Sequence, residues 1–186
     1  MKLAILTTAA LLLAPATLLA QTPPPDHAGQ HTADAMPEKA PVPPSKSLNI
    51  TFEGRTTTLT AEDLIKMPQV TVHVHNAHRN TDEEYTGPLV SDVLAKAGLT
   101  STRETEPLIL HSTVVATGTD HYFVLFSCAE LEPGFTTGQS IIAIMKAGLP
   151  DTEGGVIQLI NANAAKPARW VHGLTNLNVM SLDSNP

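Results

Sequence analysis

Two groups of residues in this chain could do chemistry. The first is His73, His75, Asn76, His78 and Arg79. His73 and His75 are two apart, so on a strand both imidazoles project to one face, and His78 follows where such a strand would run out. Neutral imidazoles are good ligands for a divalent metal such as Zn²⁺ or Cu²⁺, and three of them with an open fourth position would make a catalytic-type site. Asp82, Glu83 and Glu84 could add carboxylates. The alternative for the same residues is structural: the imidazoles and Asn76 hydrogen-bond to backbone and order a loop. The second group is Lys166, Arg169, Trp170 and His172. Two cations around an aromatic can grip a small anionic ligand, Arg169 as a bidentate donor and Lys166 as a point charge. Equally, Trp170 can cap the core while the cations pair with surface carboxylates.

Other chemistries lack their motifs. There is no phosphate-binding glycine loop, no dinucleotide fingerprint, no nucleophile-elbow serine and no paired-cysteine metal site. Cys128 is the only cysteine, so an internal disulfide is impossible. The apolar run Tyr122 to Phe126 leads straight into it, which favours a buried, inert thiol.

Met1 and Lys2 precede an apolar run, Leu3 to Leu19, that ends in Ala20 before Gln21. This pattern predicts a secretory signal over 1–20 and an exported, periplasmic or secreted protein. Pro15 disfavours a spanning helix there, and no later stretch suits a membrane span in the mature form. Residues 21–46 carry seven prolines among polar residues and predict an extended tether. Removal of the signal leaves 10 basic against 18 acidic residues, a charge of −8. An average field of that sign does not attract nucleic acid or an anionic membrane.

The remaining 47–183, about 140 residues, suit one domain. Ser47 to Glu53 alternates as a half-buried strand, and Gly54-Arg55 turns the chain into a second strand over Thr56 to Leu59. Thr60 is placed to cap a short helix over Ala61 to Lys66, stopped before Pro68. Val70 to Asn76 alternates as a strand, Ala77 to Thr86 predicts a polar loop, and Leu89 to Ala97 has helical spacing with Gly98 as its stop. Leu108 to Ala116 and Tyr122 to Ser127 predict a hairpin, and Ser127 with Glu130 has capping-box spacing. Ile141 to Met145, Val156 to Ile160 and Leu174 to Leu182 predict three further strands. Strands joined both by hairpins and by short helices define an α+β domain with a mixed β-sheet.

The order of these segments resembles the molybdopterin-binding oxidoreductase domain, the fold of sulfite oxidase and its bacterial periplasmic relatives. The similarity lies in Leu59 to Pro68, in Tyr85-Thr86-Gly87-Pro88 and its helix to Gly98, in Asp120 to Leu125 with Glu130-Leu131, in Gly154 to Ile160, and in Ala168 to Leu174 with Leu177 to Val179. It implies a molybdopterin-type cofactor site with His75, Asn76, Arg79, Lys166 and Arg169 as its polar and basic lining. It also implies an ancestral sulfur- or oxygen-transfer oxidoreductase. Catalytic members of that family hold molybdenum through a cysteine thiolate carried before the aromatic-glycine helix. The corresponding stretch here, His73 to Tyr85, contains none. The expectation is therefore a ligand-binding or accessory module that lacks the molybdenum-ligating cysteine. The other expectations are a periplasmic metal-dependent enzyme or metal carrier using His73, His75 and His78, and a plain interaction domain whose tether sets its reach.

Overall fold

The computed structural model describes residues 42–182. The expected signal segment and most of the expected tether lie outside the described residues. The last part of that tether does not: Val42 and Ser45 are buried. The Ser45 hydroxyl donates to the Gly155 carbonyl at 2.8 Å and accepts from the Ile157 amide at 3.2 Å. The ordered domain thus starts several residues before Ser47, fixed by polar contacts that periodicity does not reveal.

β1 (Ser47–Phe52) and β2 (Arg55–Thr60) form an antiparallel hairpin closed by Glu53 and Gly54. Both turn residues have positive φ, 49° and 73°, the two-residue geometry whose twist matches the strands it joins. α1 (Ala61–Ile65) opens on the expected cap: Thr60 accepts from the Asp63 amide, and the Asp63 carboxylate accepts from the Thr60 amide. β3 (Val70–Asn76) matches its expected bounds. Next come β4 (Thr81–Gly87), α2 (Val90–Lys96), α3 (Glu106–Leu110), β5 (Ser112–Gly118), β6 (Phe123–Ser127) and α4 (Cys128–Leu131). The remaining elements are β7 (Ser140–Ala143), β8 (Met145–Lys146), β9 (Leu149–Pro150), β10 (Gln158–Asn161), a 3-10 turn (Pro167–Arg169) and β11 (Leu174–Ser181).

The described residues form three sheets, with orders β2-β1-β11-β5-β6, β3-β4-β8-β9 and β10-β7. Among the described residues only β1 with β11 is a parallel pairing, so the domain is α+β with a mixed sheet, as expected. The inner face of the five-stranded sheet buries Leu48, Ile50, Val114, Ala116, Phe126 and Leu177 against α1, α2 and α4. A smaller core lies under the four-stranded sheet: Val72, Val74, Tyr85, Ile141, Ala143, Ile160 and Trp170.

Two expectations are corrected. The polar loop over Ala77 to Thr86 is largely β4, paired with β3 from Val70↔Gly87 to Asn76↔Thr81. Its alternation was hidden because the buried positions carry Glu83 and Tyr85 rather than aliphatic residues. Leu108 to Leu110 is the end of α3 and not the start of a strand; Pro107 sits in its first turn, where a missing amide hydrogen costs nothing.

Candidate functional site

The β3–β4 hairpin has two faces with different chemistry. Outward, the register places Thr71 opposite Thr86, His73 opposite Glu84 and His75 opposite Asp82. His75 Nδ1 lies 2.8 Å from Asp82 Oδ1, and His73 Nδ1 lies 3.9 Å from Glu84 Oε2, all at substantial exposure. Inward, Asn76 and Tyr85 converge on Glu83. The Asn76 amide donates to Glu83 Oε2 at 3.1 Å and the Tyr85 hydroxyl donates to the same oxygen at 2.9 Å. From β8, Lys146 Nζ reaches Glu83 Oε1 at 2.9 Å and stands 5.3 Å from the Tyr85 ring centroid.

A buried carboxylate in this position needs partners. Burial would raise the Glu83 pKa, but hydrogen bonds from Lys146, Asn76 and Tyr85, with the Lys146 charge, outweigh it and hold the group below its ordinary value. Burial, and then the neighbouring Glu83 charge, push the Tyr85 phenol far above its ordinary value, so it remains a donor. Tyr85 meets Trp170 edge to face at 5.9 Å, and the Trp170 indole donates to the Asn161 carbonyl at 3.2 Å.

A second polar chain, buried at Asp151 and Gln158, runs on to the half-buried His172. Asp151 accepts from the Gly154 amide at 2.9 Å and from the Gln158 side chain at 3.0 Å; Gln158 Oε1 then meets His172 Nδ1 at 2.5 Å. Arg79, at the hairpin tip, lies 3.9 Å from Glu153 in the loop that carries Asp151.

The expected ligand-binding residues are thereby divided. Asn76 belongs to the inner cluster, where its carbonyl oxygen also accepts from the amides of His78 and Arg79 and so shapes the turn. His75, its neighbour, points to the opposite face. Arg79 is exposed at the tip. Arg169 is engaged elsewhere: it donates to Glu130 and to the Leu125 carbonyl, and its guanidinium lies 4.7 Å from the Phe126 ring centroid. Lys166 is exposed at the entry to the 3-10 turn. The metal expectation meets a similar division. Among the described residues no three His, Cys, Asp or Glu side chains converge as a metal-holding group. His73 and His75 each face a carboxylate across the ladder, and His78 lies beyond the strand, its amide held by Asn76. Sequence reasoning named Glu83 only as a possible extra ligand and did not single out Tyr85, Lys146, Asp151 or Gln158. The alternation of Glu83, Tyr85 and Gly87 is the one local signal for the first two, and Lys146, Asp151 and Gln158 carry none.

The fold and site together define a small α+β domain with a mixed sheet, whose inner hairpin face is a shielded polar cluster beside an aromatic pair. No family model matches the chain, and no curated protein matches it. Among solved structures it is similar to the sulfane dehydrogenase SoxCD from Paracoccus pantotrophus, with a TM-score of 0.55 at 17% identity. The match covers 74% of this chain and 39% of that one, so the chain spans about two fifths of the enzyme's length. At this identity the likeness concerns the fold.

Proposed function

We propose that this chain is an exported binding or accessory module built on the molybdopterin-binding oxidoreductase fold, without the metal-dependent turnover of that class. Two lines of support meet here. The segment order resembles the molybdopterin-binding domain along nearly the whole of 47–182, and the fold is similar to that of a sulfane dehydrogenase.

The observation that carries the loss of turnover is the state of the chain's one thiol. Cys128 is 2% exposed and packs in the main core, whereas Tyr85 and Trp170 belong to the smaller core under the hairpin. Burial pushes its pKa up to about 11. A soft thiolate is what suits such a metal, and neither the hairpin nor Cys128 offers one. The residues therefore do not fit a cysteine-ligated molybdenum centre. A small anionic organic ligand would instead be held by cations alone, and the exposed ones of the expected set are Arg79 at the hairpin tip, beside Glu153, and Lys166 at the entry to the 3-10 turn.

The test is elemental and fluorescence analysis of protein made in a molybdenum-replete host. The expected result is no stoichiometric molybdenum, with any co-purifying pterin lost in Arg79→Ala or Lys166→Ala. Molybdenum near one equivalent per chain would overturn the proposal.

A further inference from the structure

The outer face of the five-stranded sheet has a composition that neither the fold nor the hairpin site requires. The register gives one transverse row as Thr58, Asn49, Asn176, Thr117 and Phe123. The next row is Thr56, Thr51, Asn178, Val115 and Leu125. Ser47, Thr60, Thr113, Met180 and Ser127 complete the face, and none of these positions carries a charge. By contrast, the outer face of the β3–β4 hairpin carries His73, His75, Asp82 and Glu84. Edge strands normally carry charges that discourage association, yet β2 and β6, the edges of this sheet, place none on this face. Here one end of the sheet is rich in amides and hydroxyls. The other ends in Phe123 and Leu125, 63% and 55% exposed.

The polar end is already oriented. Thr58 donates to Asn49 Oδ1 at 2.8 Å, Asn49 Nδ2 lies 3.5 Å from Asn176 Oδ1, and Asn176 donates to Thr175 at 2.9 Å. Each Asn in that row uses one donor and one acceptor, which leaves a second amide hydrogen and lone pairs facing outward. Adjacent strands are about 4.8 Å apart, so the row repeats donors and acceptors at roughly the length of one pyranose unit. Phe123, at the end of the same row, offers an apolar ring face of the kind that packs on the C–H face of a sugar.

From this we infer that the outer sheet face binds a neutral glycan chain lying across the strands. Charge complementarity selects the occupant: among the described residues, the paired positions of this face hold no charged side chain for a phosphate, carboxylate or ammonium, while they both donate to and accept from hydroxyls. Size supports the same choice. Five strands at that spacing give a flat area on the order of 400 Å², about half of the ~800 Å² each partner contributes to a standard protein interface. A single oligosaccharide needs much less.

The test is titration calorimetry of the full chain with cellohexaose, chitohexaose and maltohexaose, and with an oligogalacturonate of equal length as the charged control. At least one neutral hexasaccharide should bind, and the charged control should not. Phe123→Ala and Asn176→Lys should each weaken binding at least tenfold, with melting temperatures close to wild type because both side chains face solvent. Absence of heat with all three neutral probes overturns the inference, as does binding that both variants retain. Sedimentation that shows a wild-type dimer dissolved by Asn176→Lys would also overturn it, since the face would then belong to a second copy.

Discussion

The Lys146 ammonium lies 2.9 Å from the buried Glu83 carboxylate and is the only cation the described residues bring to it. The Glu83 side chain is 6% exposed and that of Lys146 26%, so the pair is shielded but not sealed. Removing one partner of a shielded pair leaves the other charge without compensation, which is the costly direction. Lys146→Met should lower the unfolding free energy by about 3 kcal/mol. Adding Glu83→Gln to it should recover a large part of that loss. Denaturant unfolding of the two variants checks this; a double variant no better than Lys146→Met would show that packing, not charge, holds β8 to β4.

The same pair sets an acid dependence. The Glu83 pKa in the folded protein lies below its ordinary value of 4.5. A group depressed by folding stabilises the protein above its unfolded pKa, and that contribution is lost as pH falls through 4.5 and the lower folded value. Wild-type stability should therefore fall more steeply below pH 4.5 than that of Glu83→Gln, which has no proton to gain there. Melting curves from pH 6 down to 3 would show it, and parallel curves would exclude Glu83 as the source.

Gly87 ends β4 where the chain passes against β7. A Cβ at this position would stand 1.9 Å from the Ile142 carbonyl oxygen and 2.8 Å from the Ala143 Cα. Both contacts are backbone, so no side chain can move aside, and β4 and β7 would have to separate. Gly87→Ala should cost about 3 kcal/mol or more, at the severe end for one methyl group. Thermal unfolding of the purified variant, or its loss from the soluble fraction, is the measure.

How far the sequence made all this legible depends on what each position buries. β3 was readable because Val72 and Val74 alternate with polar residues, and α1 because Thr60 and Asp63 carry their cap in their side chains. β4 was not, since Glu83 and Tyr85 occupy its buried face as a polar pair that only Asn76 and Lys146 make tolerable. The candidate site was half legible for the same reason. Asn76 and Arg79 were marked by their proximity to the histidines, yet strand geometry sends His75 and Asn76 to opposite faces. Arg169 was named for an anion and is engaged by Glu130, 39 residues away, a pairing that no local pattern announces.

The imidazoles bear on a further measurement. His73 and His75 are exposed on a two-stranded ladder with one carboxylate each, and no third ligand converges on them among the described residues. A ligand specific to the native state raises its stability through its affinity. One equivalent of Zn²⁺ or Cu²⁺ should therefore shift the melting temperature by no more than about 1 °C. A larger shift that disappears in His73→Ala and His75→Ala would restore the metal reading.

The last prediction concerns the thiol on which the proposed function turns. Cys128 opens α4 directly after the Ser127 cap, a position where a helix terminus could stabilise a thiolate if solvent reached it. It does not: the side chain is 2% exposed among the main-core residues, and burial pushes its pKa up to about 11 from 9.0. At pH 8 that leaves about one thiolate in a thousand, against about one in ten for the ordinary thiol, before access is counted. Native protein should therefore react with a disulfide reagent at least a hundredfold more slowly than the same protein in denaturant, and then release one thiol per chain on unfolding. Iodoacetamide labelling followed by mass measurement gives the same answer by an independent route. Rapid labelling of the native state at pH 8 would mean that Cys128 is reachable as a thiolate and able to ligate a soft metal, which would overturn the loss of the metal–sulfur bond.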